Sequence, residues 1–475
     1  MDISNKHAAY LSVASQISTR AINLILSISF VRFAPANSVG YFTLLITGAQ
    51  LVSSLGRVGT NYSYTTILPT LGSKYLKLQL TNTYANFGII ASFLVSAIII
   101  TQVGNTLHTE SIDPSINPDA FLILGVIYLF GDGISELLWS IHLANGRFKA
   151  VFFRDVWLAL SKGIFPLVGA LIYGVIGVAA GLCISSMINN SIALLIFIGN
   201  KGANNRVWWS LGSIKYLLRL LEKGIPFFSV PLVSNLILWP LLLKIVSNEG
   251  VDSLDGLRVA QICAQIITVI SASLMPILLI RSSQNKNSAD DIHQKSFQVC
   301  WLISTIIYSV YALSDKYVLP LIFGEGPAQG ALLIARIAVA AAAIQGLSQI
   351  PMQRPFGTHM LIKLAVLQIF SLVVAGIISI YILLPINGLV AYTSINLLSP
   401  FITVMCLPII LNKQLGIPDS STQIQLLFSL ILIMTSYLNI NSTLEMFGII
   451  GCLIGSLLIN RRFIDSLLVR LPTGG

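Results

Sequence analysis

The sequence predicts an all-α polytopic membrane protein with about fourteen transmembrane helices, counted at roughly 20 apolar residues each. Three observations predict it. Hydrophobic residues make up 55% of the 475-residue chain and charged residues only 10%, against about 25% charged in soluble domains. Mean hydropathy is +0.83. Basic and acidic residues also alternate from loop to loop, as the positive-inside rule requires of a chain that crosses a bilayer repeatedly. The net charge of +10 is scattered over short loops, so no nucleic-acid partner is expected; the bilayer is the expected surroundings.

The expected spans are 11–33, 41–67, 83–103, 119–144, 151–173, 176–199, 224–246, 257–280, 297–323, 328–351, 361–384, 388–411, 422–440 and 444–460. Very short turns join the fifth to the sixth (Tyr173-Gly174-Val175) and the eleventh to the twelfth (Pro385-Ile386-Asn387). With the N terminus inside, cytoplasmic loops carry Lys74, Lys77, Arg147, Lys149, Arg206, Arg281, Arg354, Arg461 and Arg462. The opposite loops carry Glu110, Asp113, Asp119, Glu249, Asp252, Asp255, Glu325 and Glu445, with essentially no Lys or Arg. One missed helix would scramble this pattern, so both termini are expected in the cytoplasm. The first apolar stretch is too long for a signal-peptide core and lacks a small-residue cleavage site. Five cysteines, an odd number with no Cys-x-x-Cys, argue against disulfides or metal. The dispersed histidines also suggest no metal.

The first two spans carry the chemistry. Ser12, Gln16, Arg20, Asn23 and Ser27 follow helical spacing down one face of the first. Thr43, Thr47, Gln50, Ser54, Arg57 and Asn61 do so in the second. Arg20 lies roughly 13 Å into its span at about 1.5 Å per residue. A charge at that depth costs at least about 2.5–3.5 kcal/mol, so it normally faces a watery cavity or a partner. Basic residues within spans or at their ends include Arg20, Arg32, Arg57, Lys162, Lys244, Arg258, Lys316 and Arg336. The acids that share the membrane include Asp132, Glu136 and Asp315. The balance is cationic and suits an anion.

The chain divides near its middle. Residues 1–199 form an N-terminal set of six spans and 224–412 a second set. Residues 200–223 link them through a cytoplasmic amphipathic helix, with Ile214, Leu217, Leu218 and Leu221 on one face and Lys215, Arg219 and Lys223 on the other. Residues 413–475, with two more spans and a tail, stand outside the core. A weak repeat supports the division: Gly40 and Gln50 in span 2 are matched by Gly256 and Gln265 in span 8, whose polar face is Arg258, Gln261, Gln265 and Thr268. Transporters commonly bind at the interface of such repeats. Pro226, Pro231 and Pro240 are expected to bend the seventh span, since each removes a ladder hydrogen bond.

Ser15-Gln16-Ile17 through Phe33, followed by Asn37-Ser38-Val39-Gly40-Tyr41-Phe42, resembles the start of Wzx-type polysaccharide exporters. These belong to the multidrug/oligosaccharidyl-lipid/polysaccharide (MOP) superfamily. Asn145-Gly146-Arg147-Phe148 and Lys223-Gly224-Ile225-Pro226 are similar to later turns of the same family. The resemblance spans helices 1 to 12. It implies two six-helix lobes around a V-shaped, cationic central cavity, with the last two helices as an addition. It also implies a bacterial inner-membrane flippase for a polyprenyl-pyrophosphate-linked oligosaccharide. A polysaccharide polymerase is an implied companion. The related lipid II flippases also have fourteen helices and arginines on helices 1, 2 and 8, where Arg20, Arg57 and Arg258 fall.

On this reading Arg20, Arg57, Arg258, Arg336 and Lys162, with Gln16, Asn23, Gln50, Gln261 and Gln265, contact the pyrophosphate and glycan. The competing reading is structural: arginines snorkelling or held by backbone carbonyls. Asp132 and Glu136 share a helix face and are either a site for a coupling ion, H+ or Na+, or salt-bridge partners of Lys162 or Arg20. No cofactor and no enzyme activity are expected. A multidrug/cation antiporter of the same superfamily would need more acids than bases in its cavity. A polysaccharide polymerase or ligase would need a large outer loop, yet the longest, Gly104 to Pro118, has about fifteen residues. Asp252-Ser253-Leu254-Asp255-Gly256 resembles only the start of the CDP-alcohol phosphotransferase motif, without its later aspartates.

Overall fold

The computed structural model describes residues 3–411 apart from residues 36, 110–116, 199–212, 285–288 and 353–357. The expected spans 422–440 and 444–460 lie outside the described residues. The described chain is helical throughout, with no strand: α1 (Ile3–Phe33), α2 (Ser38–Leu55), α3 (Thr60–Ile67), α4 (Lys74–Thr109), α5 (Pro118–Ala144), α6 (Phe148–Ile198), α7 (Ile214–Glu249), α8 (Ser253–Gln284), α9 (Ala289–Phe323), α10 (Glu325–Met352), α11 (Thr358–Ile378) and α12 (Gly388–Leu411). Nine of these are long and apolar enough to cross a membrane among the described residues. Apolar side chains cover their outer faces, for example Ile90, Phe93, Leu94 and Ile98 on α4. The chain is therefore a multi-pass membrane protein. It divides into two compact units, Met1–Arg258 and Val259–Gly475.

The single helix expected over 41–67 is two helices. Val58 (φ 45°) and Gly59 (φ 68°) occupy the left-handed region, which a right-handed helix excludes and a β-branched residue rarely enters. Glycine at 59 serves a second purpose. A Cβ there would lie 2.2 Å from the Gly224 carbonyl oxygen of α7, so α3 and α7 meet backbone to backbone. The turn is tied by Thr60 N donating to the Arg57 carbonyl at 2.8 Å.

The fifth and sixth spans form the helix pair α6. Tyr173 (φ −129°, ψ 16°) and Gly174 (φ 57°, ψ −135°) reverse the chain. The two arms then touch through glycine: a Cβ on Gly177 would lie 1.8 Å from the Gly169 carbonyl oxygen. Residues eight apart in a straight helix stand about 12 Å apart at 1.5 Å per residue, so this contact is that of a closed hairpin. Helix α1 packs along α6, and α5 packs on both α4 and α6.

The short amphipathic helix expected over 214–223 is the first part of α7. This helix runs unbroken to Glu249 through Pro226, Pro231 and Pro240. Leu220 turns into an apolar cluster with Tyr64, Ile67, Leu80, Tyr84, Leu137 and Ile141, while Ile214 and Leu218 stay exposed. The cluster joins α3, α4, α5 and α7 at one end of the first unit. The Tyr64 and Tyr84 rings stack at 4.3 Å within it. In the second unit α10 packs between α9 and α12, and α11 lies on α12.

The hairpin yields a prediction. Gly177→Leu has no room against the Gly169 carbonyl, so the purified protein should lose monodispersity and thermal stability. Gly72→Ala, with nothing within 4 Å, should leave both unchanged. Equal melting temperatures in detergent would contradict the packing.

Candidate functional site

The break after α2 shapes the site. Arg57 lies in the turn and folds back on the helix it ends: Nε donates to the Ser53 carbonyl and Nη2 to Ser53 Oγ. Its remaining terminal nitrogen, Nη1, lies 3.8 Å from Glu136 Oε2 on α5. The other Glu136 oxygen accepts from Arg154 Nη2 on α6. Arg154 also donates through Nη1 to Asp155 at 3.0 Å, and its guanidinium carbon lies 5.5 Å from the Trp139 ring centroid. One carboxylate thus bridges two guanidiniums from different helices.

A second pair follows along the same two helices. Lys162 Nζ pairs with Asp132 Oδ1 and lies 5.9 Å from the Tyr128 ring centroid. Asp132 and Glu136 are four residues apart on α5, and Arg154 and Lys162 are eight apart on α6, so each set shares a face. Side-chain exposure is 9% for Arg154, 11% for Arg57 and 7% for Asp132, but 29% for Glu136 and 21% for Lys162. The cluster is withdrawn from its surroundings without being sealed. Charges so placed need partners, because the desolvation cost is several kcal/mol per ion.

The wall behind it is fixed by hydrogen bonds between α5 and the second arm of α6. Asn189 Nδ2 donates to Ser135 Oγ, and Asn190 Nδ2 donates to the Gly131 carbonyl at 2.8 Å. The buried Tyr84 of α4 stacks on the buried Tyr64 of α3 in the same unit.

The other candidates are distributed differently. Arg20 and Asn23 are half-buried on α1, and Gln50 is exposed on α2. Gln16 lies on α1 in a stretch whose side chains fall outside the described residues. Arg258 closes the first unit. It is buried, donates to Ser27 Oγ at 2.8 Å and lies 5.0 Å from the Phe42 ring centroid. Gln261 and Gln265 begin the second unit, partly buried on α8. Arg336 of α10 forms a buried fork with Asp315 of α9, Nη2 to Oδ1 at 3.0 Å and Nε to Oδ2. On α2, Ser54 Oγ accepts from Asn235 Nδ2 of α7 at 2.7 Å.

Sequence reasoning did not single out Arg154. The available signal was its position three residues inside the span expected over 151–173, where a charge requires a partner. Ser53, the backbone anchor of Arg57, carried no signal.

The fold and the polar cluster belong together in one class. The fold is that of the transporters of the MOP superfamily, and it holds a charged cluster inside an apolar helical bundle. Similar solved structures include the lipid II flippase MurJ in an inward-closed conformation, at a TM-score of 0.67 and 13% identity over 97% of this chain and 99% of that one. A multidrug resistance MATE family transporter in an inward-facing conformation has a TM-score of 0.59 and 12% identity over 85% and 99%. A MOP superfamily transporter from Pyrococcus furiosus, whose binding pocket has reversed polarity, has a TM-score of 0.57 and 13% identity over 91% and 96%. At these identities the likeness is one of fold. No protein-family model and no curated protein matches the chain.

The Lys162–Asp132 pair yields a prediction. Asp132→Asn leaves a largely buried ammonium without its carboxylate and should cost about 3 kcal/mol, seen as a lower amount of protein in the membrane. Asp132→Asn combined with Lys162→Met should restore that amount. If the double variant is no better than the single one, the pair does not hold the helices together.

Proposed function

We propose that this protein is a flippase for a polyprenyl-pyrophosphate-linked oligosaccharide. It would move the head group from the cytoplasmic to the outer leaflet of the bacterial inner membrane, for assembly of a cell-surface polysaccharide. The observation that carries the reading is the convergence of Arg57 and Arg154 at the break in the second span, within a fold that flippases use. Arg57 and Arg20 are assigned to the pyrophosphate, and Arg154, which shares Glu136 with Arg57, is added to them. Guanidinium suits this ligand because its planar fork gives bidentate contacts and stays charged. A pyrophosphate ester brings at least two negative charges, and fixed positive partners act on it more strongly in a low-dielectric interior than in water. Polar side chains such as Asn23 and Gln50 would meet the glycan, and the polyprenyl tail would remain in lipid.

Transport on this reading is alternating access of two six-helix lobes, residues 1–199 and 224–412, with both termini cytoplasmic. The sequence has no Walker loop, so the drive would be an ion gradient, H+ or Na+, or the membrane potential acting on the anionic cargo. Contacts of α7 with the earlier helices then join one lobe to the other. They include the Gly59–Gly224 approach, Asn235 to Ser54 at 2.7 Å and Trp239 Nε1 to Gln102 Oε1 at 2.8 Å. Each cycle must break them. A cation antiporter is the second reading, favoured by the likeness of fold to MATE transporters. The pairing of Asp132 and Glu136 with cations weighs against it, because a cationic drug would find both carboxylates already taken.

Two experiments test the proposal. Losing one charge-assisted contact costs about 1.5–3 kcal/mol, roughly ten- to a hundredfold in affinity. Arg57→Ala and Arg20→Ala should therefore abolish surface glycan in a flippase-deficient strain while the protein still reaches the membrane. Lysine at either position should rescue in part, and Lys74→Ala should be silent. Full export by Arg20→Ala/Arg57→Ala would remove this site. For orientation, a cysteine replacing the exposed Asp252 should label from outside intact cells and one replacing Ser73 only after permeabilisation. The reverse pattern would invert the topology.

A further inference from the structure

The place a phosphate would take between Arg57 and Arg154 is filled by one of the chain's own carboxylates. Glu136 receives Arg154 on one oxygen and faces Arg57 at 3.8 Å with the other. Three cations, Arg57, Arg154 and Lys162, are met by three acids, Glu136, Asp155 and Asp132. An incoming pyrophosphate must therefore take cations away from a resident acid. The three acids differ in how they are held. Asp132 is 7% exposed and paired with Lys162. Asp155 neighbours Arg154 in sequence and is paired with that residue. Glu136 is shared between two cations from two helices and is 29% exposed.

We infer that Glu136 is a resident counter-anion, which competes with the pyrophosphate head group for Arg57 and Arg154 and replaces it when the head group leaves. This rests on the flippase reading given above and adds how the site is emptied. Two largely buried guanidiniums with only Asp155 to compensate them would be unfavourable, so an empty carrier needs a substitute for its cargo. A carboxylate on a neighbouring helix supplies one at no diffusional delay. It also lowers the affinity for the cargo, because the head group is bound only by displacing a group of like charge. Glu136 thus makes release possible and stabilises the empty state for the return movement. The exchange forms and breaks ion pairs only; no covalent bond changes.

The test uses the full-length protein in nanodiscs, with farnesyl pyrophosphate as the probe. Glu136→Gln keeps an oxygen that accepts from Arg154 and removes the competing charge. It should bind the probe about tenfold tighter or more, while its turnover in a complemented flippase-deficient strain falls. Wild-type protein supplies a second measurement that needs no variant. Saturating probe should raise carbodiimide modification of Glu136, read by peptide mass spectrometry, as the carboxylate loses its guanidinium partners. Unchanged or weaker binding by Glu136→Gln in folded protein would overturn the inference. So would modification of Glu136 that falls or stays level on adding the probe. Both results leave the anion site standing provided that the wild type binds. Absence of binding by the wild type would remove the anion site and this inference together.

Discussion

The first unit depends on charge being compensated locally, away from bulk water. An isolated ion in such surroundings costs several kcal/mol, and that cost turns each ion pair into a constraint on helix rotation. Lys162 to Asp132 and Arg154 to Glu136 set the faces that α6 and α5 turn toward each other. Arg57 to Glu136 adds the end of α2 to the same set. Arg258 meets the constraint in another way, with a serine hydroxyl and an aromatic face. In the second unit Arg336 meets it with a dedicated carboxylate on the next helix.

The broken second span belongs to the same logic. A continuous helix would carry Arg57 at one fixed angle and leave its position to a long, flexible side chain. Ending the helix before Arg57 lets the guanidinium fold back on Ser53 and still reach α5. The left-handed Val58 costs of order 1–3 kcal/mol and persists only where the surroundings over-determine it. Here they do so from both sides. Gly59 is pressed on Gly224, and α3 is anchored by Tyr64 in the cluster that includes Leu220.

Much of this was legible in the sequence, for identifiable reasons. Hydropathy reported the spans because a bilayer tolerates no exposed backbone polar groups. Tyr173-Gly174-Val175 marked the α6 reversal because glycine alone enters φ 57°, ψ −135° without strain. The intramembrane charges named Arg57, Lys162, Asp132 and Glu136 as residues of consequence. Lys162 as a partner of Asp132 was one of the two alternatives the sequence offered; Arg57 and Arg154 as the partners of Glu136 were not legible, since pairing depends on how α5 and α6 are rotated and a list of charges carries no rotation. Arg154 was lost for that reason, standing near the end of its span where a loop assignment looked equally good. The polar stripes misled in part. Thr43 and Thr47 satisfy themselves on the preceding turn of their own helix, and Ser54 and Ser27 bind side chains of α7 and α8, so spacing alone did not separate cavity lining from helix contacts.

The two guanidiniums that share Glu136 are not equivalent. Arg154 has the closer contact with Glu136 and a second acid beside it, with Trp139 against its guanidinium. Arg57 stands 3.8 Å from Glu136 and is positioned chiefly by Ser53 on its own helix. Losing Glu136 would therefore move Arg57 little. A cation whose geometry is set by its own helix, with its acidic partner at 3.8 Å, has the arrangement that the proposed exchange of anions requires. The reorganisation cost that usually weakens binding is then small. Arg336 shows the opposite case, forked onto Asp315 and buried with it. The difference between Arg336, forked onto one carboxylate, and Arg57, held mainly by its own helix, lies in these contacts, and residue type alone does not disclose it.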